Sequence, residues 1–181
     1  MNKILAWVVA LTVMTMIERG LTPQVENTIV EIPSTIFAAQ NFIHFVTEGE
    51  LPTIKQLSIA LDTLAQAYNE AADGAFSESD AEPPPRDYQS VRNQLRLRFP
   101  YLGYYELAWP DRGVVTSDAI GDLADILGDL REVMWRFEYL GANDALWHFK
   151  FLFKTHWGLH LRNLNLHLHF KQFYMSDPFD D

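Results

Sequence analysis

Apolar residues recur along this chain at helical spacing far more often than they alternate, and the periodic stretches are separated at Pro and Gly. Ser34 follows Pro33 and opens a stretch through about Thr47 that carries Phe37, Phe42, Ile43 and Phe45, ended by Gly49-Glu50. A Ser at that place accepts an otherwise unpaired backbone N–H, so the spacing predicts a helix capped by Ser34. Thr53 and Gln56 have the spacing of a capping box, and Ile54, Leu57, Leu61, Leu64 and Tyr68 then recur every three or four residues up to Asp73. Another helix is expected from about Asp87, with Tyr88, Val91, Leu95 and Phe99 on one side and Pro100 as its stop. Residues 101–113, aromatic and broken by Gly103 and Pro110, read as loop or short strand.

The strongest helical pattern starts at Thr116, Ser117 or Asp118, any of which can cap it, and ends at Gly141. Its buried stripe is Ile120, Leu123, Leu127, Leu130, Met134 and Phe137. Residues 144–174 form the final segment, apolar on nearly all sides through Phe153, which places that helix in the centre of a bundle. Leu164, Leu166, Leu168 and Phe170 alternate with Asn165, His167 and His169 as a half-buried strand does, but Leu161, Leu164 and Leu168 also fit a helix. No turn signal separates them from the helix before, so helix is the reading. The sum is an all-α, single-domain bundle of about five or six helices over residues 23–181.

Residues 74–86 interrupt that pattern with Ser77, Ser79, three acids and Pro83-Pro84-Pro85. Such a segment has no apolar face to bury, and its prolines stiffen it toward polyproline II, so it is expected as a long, exposed, acidic, proline-rich loop. Residues 1–22 form an apolar N-terminal segment in which 4–17 carry no charge. That length suits a packed or interfacial helix, an anchor or a signal, and leaves membrane association through 4–17 as one expectation. The absence of cysteine excludes disulfides, thiolate metal sites and cysteine nucleophiles. It favours a reducing, cytoplasmic compartment, with anchoring or export as the alternatives.

Charge narrows the partners. Fourteen Lys and Arg against twenty-four Asp and Glu give a formal net charge of −10, which repels phosphate backbones and attracts a basic protein. No nucleic-acid role is expected. Asp118, Asp122, Asp125, Asp129 and Glu132 follow one another by four, three, four and three residues, and so lie within an arc of about 80° on a helix. One reading is a solvated face relieved by Arg131 and Arg136; the others are a surface for a basic partner, through Asp118, Asp122, Asp129 and Glu132, or for a metal.

Five of the six histidines fall in the last segment, with His156 and His160 one turn apart and His167 about two turns further. An i, i+4 pair lets two imidazoles converge on one ion, and a carboxylate from the acidic helix, Asp125 or Asp129, is the natural further ligand. The same residues serve equally as hydrogen-bonded pins between two helices. Trp157 stands where a zinc protease would need glutamate, and phosphate loops and nucleophile elbows are missing. Trp135, Trp147, Trp157, Phe149 and Phe153 read as core.

The run Arg98-Phe99-Pro100-Tyr101-Leu102-Gly103-Tyr104-Tyr105, the segment from Gly121 to Leu130, and Asp144-Ala145-Leu146-Trp147 leading to His156-Trp157-Gly158-Leu159-His160 resemble a bacterial family known only as domain of unknown function 5063. The resemblance is strongest over residues 87–170. It implies a helical domain marked by the Asp-bearing helix and the helix of the His-Trp-Gly-Leu-His motif, and it supplies no activity, cofactor or partner. Gly158 inside a helix costs about 1 kcal/mol relative to Ala, so a close contact or a ligand is expected there. No catalytic signature is found. The leading expectation is a non-catalytic, acidic helical module that binds a protein partner and needs no cofactor. The alternative is a metal-binding and, by extension, hydrolytic helical protein that holds a divalent ion through His156, His160 and Asp125 or Asp129.

Overall fold

The computed structural model describes residues 32–175; the expectations for residues 1–22 lie outside them. Six α-helices and one hairpin follow in the order α1 (Ser34–Thr47), α2 (Ile54–Glu70), α3 (Tyr88–Arg98), β1 (Tyr104–Trp109), β2 (Gly113–Asp118), α4 (Ala119–Tyr139), α5 (Ala142–Leu152) and α6 (Gly158–Phe173), with a π-helical turn, Phe153–Trp157, between the last two. The fold is therefore a mostly helical bundle, as the periodicity indicates. Among the described residues no helix is long and apolar enough to cross a membrane.

Local chemistry explains most boundaries. At α2 the Thr53 side chain accepts from the Gln56 N–H while Gln56 accepts from the Thr53 N–H at 2.8 Å, the reciprocal capping box. Helix α1 lacks the Ser cap: Pro33 takes the capping position and Ser34 is the first helical residue. The far end of α1 is closed from a distance by Arg98, whose guanidinium donates to the carbonyls of Phe45, Glu48, Gly49 and Glu50. One cation thus satisfies a last-turn carbonyl of α1 and three carbonyls of the turn that follows, and ties α3 to α1.

The short strand expected within residues 101–113 is present, and one expectation, the last segment at the centre of the bundle, needs correction. Residues 101–113 continue into an antiparallel hairpin in which Tyr104 pairs with Asp118 and Trp109 with Gly113, the β-branched run Val114-Val115-Thr116 supplying the second strand. The centre of the bundle is held by α4 rather than by the last segment. Helix α4 packs against α1, α3, α5 and α6 and buries Ile126 as well as Leu123, Leu127, Leu130 and Val133. Residues 158–173 are helical, as read.

The acidic, proline-rich loop lies exposed over much of its length but is fastened at both ends. Ala75 donates to the Asn143 carbonyl and Ser77 to the Asp144 carboxylate at 2.9 Å. A side chain at Gly74 would overlap the backbone of Asn143 and Trp147, so only glycine fits that approach. At the other end Arg86 reaches the acids of α4.

Candidate metal centre

Through residue 130 helix α4 is buried or half-buried at every position, and its acids there have no solvated stripe. Asp118 caps α4 by accepting from the Ile120 N–H, and the acids that follow it point at neighbouring elements. Asp122 is 7% exposed and Asp129 1%. This corrects the solvated-face reading, and the four acids expected to receive a basic partner do not form an open surface. Asp118 pairs with Arg92 and lies 3.7 Å from Arg96. Glu132 is held by Arg86 and Arg136, each at 2.9 Å. Arg136 also reaches the fully buried Asp144 at 3.2 Å, whereas Arg131, the other expected relief, lines a groove beneath Pro83–Pro85.

The partners of Asp122 and Asp129 come from the other side, and the π-turn puts them there. Its wider turn brings the Gly158 N–H to the Phe153 carbonyl and resets the phase of α6 relative to α5. Leu161, Leu164 and Leu168 then continue the buried side begun by Phe149 and Trp157. Gly158 is the residue that permits it. A Cβ there would overlap the Phe153 carbonyl oxygen and come within 3.0 Å of its ring. The close contact expected at Gly158 is thus the helix's own preceding turn.

His156 Nδ1 lies 2.7 Å from Asp129 Oδ2, and His160 Nδ1 lies 2.7 Å from Asp122 Oδ1. A carboxylate only accepts, so in both rings the proton sits on Nδ1 and the lone pair of the neutral imidazole is left on Nε2. That nitrogen of His160 is 3.7 Å from Asp125 Oδ2. One atom from each of Asp125, His156 and His160 falls within 4.8 Å of the others, and all three side chains are partly exposed. Two imidazoles and a carboxylate that converge in this way form a ligand set for a divalent ion.

Further groups surround the set. Tyr105 donates to Asp122 Oδ2 at 2.6 Å, so that carboxylate is held from both oxygens. Arg86 stands 2.8 Å from Asp129 Oδ1, and Gly128 leaves the room in which it lies. Tyr88 brings its hydroxyl to 3.4 Å from Asp125 Oδ2. The hydrogen bond with Asp122 raises the pKa of His160 against the opposing effect of burial, and Asp125 adds to the rise. Burial pushes Asp125 up, with the two neighbouring imidazoles opposing. Burial and the Asp122 contact drive Tyr105 well above the usual tyrosine value.

Of the residues singled out for a metal, His156, His160 and Asp125 converge. Asp129 meets the other nitrogen of His156 and acts behind it. His167 lies apart from them: its Nε2 donates to the Leu102 carbonyl at 2.8 Å and its ring stacks on Tyr105. Tyr88, Tyr105 and Arg86 were not legible as site residues. Their only signal was a place in or beside the 87–105 stretch, and the α4 face they reach depends on tertiary packing.

Fold and geometry together define a helical-bundle protein built around two Asp–His pairs. The chain belongs to the family described as "Domain of unknown function (DUF5063)", which matches residues 30–173. The crystal structure of protein BF1032 from Bacteroides fragilis is similar, with a TM-score of 0.62 and 19% sequence identity over 84% of this chain and 96% of that one. At that identity the likeness shows the fold alone. No curated protein matches the sequence.

Proposed function

We propose that this protein binds a divalent metal ion through His156, His160 and Asp125. The observation that carries the reading is the pair of Asp–His contacts at 2.7 Å. Each fixes the tautomer and orientation of an imidazole; the Nε2 of His160 then faces the Asp125 carboxylate at 3.7 Å, and a ligand atom of His156 lies within 4.8 Å of both. Carboxylate–histidine pairs of this kind accompany metal-ligating histidines generally, because the carboxylate raises ligand basicity. A purely structural pin needs only the 2.7 Å contacts; it gives no reason for a third carboxylate to approach the opposite nitrogen, in a partly exposed setting open to an ion.

Three protein ligands leave coordination positions for water, and a bound ion lowers the pKa of such water, the basis of metal-assisted hydrolysis. Asp122, Asp129 and Arg86 would hold the ligands in place rather than touch the ion. The test is calorimetric titration of metal-free protein with Zn(II), Mn(II) and Fe(II). Saturable binding near one equivalent is expected for at least one ion, with loss of binding in His156→Ala and His160→Ala. Absence of binding to all three ions overturns the reading.

A further inference from the structure

The polar contacts around the Asp–His pairs fall into two classes of distance, and the difference assigns a role to Tyr88. Contacts that hold the ligands are short: 2.7 Å for His156 with Asp129, 2.7 Å for His160 with Asp122, and 2.6 Å for Tyr105 with Asp122. These are ordinary lengths for strong hydrogen bonds to a carboxylate. Contacts on Asp125 Oδ2 are long: 3.7 Å to His160 Nε2 and 3.4 Å to the Tyr88 hydroxyl. An O–H donor normally stands about 2.5–3.0 Å from its acceptor, so 3.4 Å is a poor hydrogen bond. It is a good separation for two ligands of one ion. Bonds of about 2.0–2.2 Å put neighbouring ligand atoms roughly 2.8–3.6 Å apart as their angle opens from a right angle to the tetrahedral value.

We infer that the Tyr88 hydroxyl is a fourth protein ligand of the metal site, beside His156, His160 and Asp125. The inference rests on the metal-binding reading of that site. Tyr88 comes from α3, a helix that contributes none of the other three ligands, and it is fixed from two sides. The Arg92 guanidinium lies 5.5 Å from its ring centre, and at Gly121 no side chain intervenes between α4 and the Tyr88 hydroxyl, which a Cβ there would contact at 3.7 Å. With Tyr88 the donor set is two imidazoles and two oxygens, one of them phenolic, and no sulfur. Oxygen donors of this hardness suit iron, and tyrosine oxygen is an established ligand of the ferric ion. On ligation the iron–oxygen bond forms as the phenol O–H proton passes to solvent; no electron is transferred.

The experiment loads metal-free, full-length protein with ferric ion supplied as its nitrilotriacetate complex, measures bound iron, and records the visible spectrum. A tyrosine oxygen on ferric iron gives a phenolate-to-iron charge-transfer band that imidazole and carboxylate ligands do not give. The wild-type protein is expected to show the band and Tyr88→Phe to lose it, while Tyr139→Phe, a 67% exposed tyrosine at the C-terminal end of α4, retains it. Tyr88 is 38% exposed, and circular dichroism checks that the Phe variant is folded. Resonance Raman of the wild-type protein provides a readout without mutation: excitation into the band enhances phenolate ring modes. Iron bound without the band, zinc or manganese bound by a protein that takes up no iron, or a band that persists in folded Tyr88→Phe, overturns the assignment and leaves a site of His156, His160 and Asp125. Failure to bind iron, zinc or manganese at all removes the metal reading itself, and Tyr88 with it.

Discussion

His156 and Asp129 meet through Nδ1 and Oδ2 at 2.7 Å, and the same carboxylate turns its other oxygen to Arg86 at 2.8 Å. A buried acid with a guanidinium beside one oxygen and an imidazole hydrogen-bonded to the other orients that imidazole. Asp122 does the same for His160, with Tyr105 in the place of the arginine.

Asp129→Asn and Asp122→Asn keep the volume and remove the charge that orients each ring. Each substitution is expected to weaken metal binding by about 10–100-fold, the usual consequence of losing a carboxylate behind a ligating histidine. Competition against a chelator of known affinity measures it. Unchanged affinity in both folded variants would mean that the pairs only pin α4 to the last helices.

Gly158→Ala tests the π-turn. The added methyl has nowhere to go, because the Phe153 carbonyl and ring occupy its position. The substitution is expected to destabilise the protein by about 1–3 kcal/mol, the range for overpacking a filled interior, and to weaken metal binding by displacing His156. Urea denaturation gives the first number and chelator competition the second. A loss of stability near zero would show that the turn reverts to ordinary α-helix without strain.

The reach of the sequence can be judged from particular residues. Thr53 and Gln56 specified their capping box because everything it needs lies within four residues. The pairing of His156 and His160 with the acids of the preceding long helix was also legible, since i, i+4 spacing places both rings on one side. The orientation of the acids was not. On a helical wheel Asp122 and Asp129 lie away from the leucine stripe, and that predicts solvent; α4 is instead enclosed, so its second face is buried against charged partners. The π-turn was hidden as well, because Phe153 to Trp157 differ from an α-helix only in how Gly158 lets the chain close. Tyr88 and Arg86 enter from a separate part of the chain, and no periodicity connects them to His160.

His148 gives a pH dependence of definite sign. Burial holds its pKa below the ordinary value, and Arg136 lowers it further against the pull of Asp144 and Glu132. The unfolded chain therefore takes up this proton before the folded one. The contribution to stability is present above the ordinary histidine pKa of about 6.5 and is lost as pH falls below it toward the folded value. His148→Gln is expected to lose less stability than wild type between about pH 7.5 and 5.5. His167, also lowered, and His160, raised, are common to both proteins and cancel in the difference. Denaturation curves at the two pH values decide it, and equal losses in the two proteins would contradict the account.

The central claim is that His156, His160 and Asp125 hold a metal, and its most direct test is elemental analysis of the protein purified without a metal-affinity tag or chelators. The expected result is zinc, iron or manganese close to one equivalent per chain in the wild-type protein and near zero in a folded His156→Ala, His160→Ala double variant. Wild-type protein that carries no more of these metals than the double variant, and that takes up none when each is supplied, would contradict it.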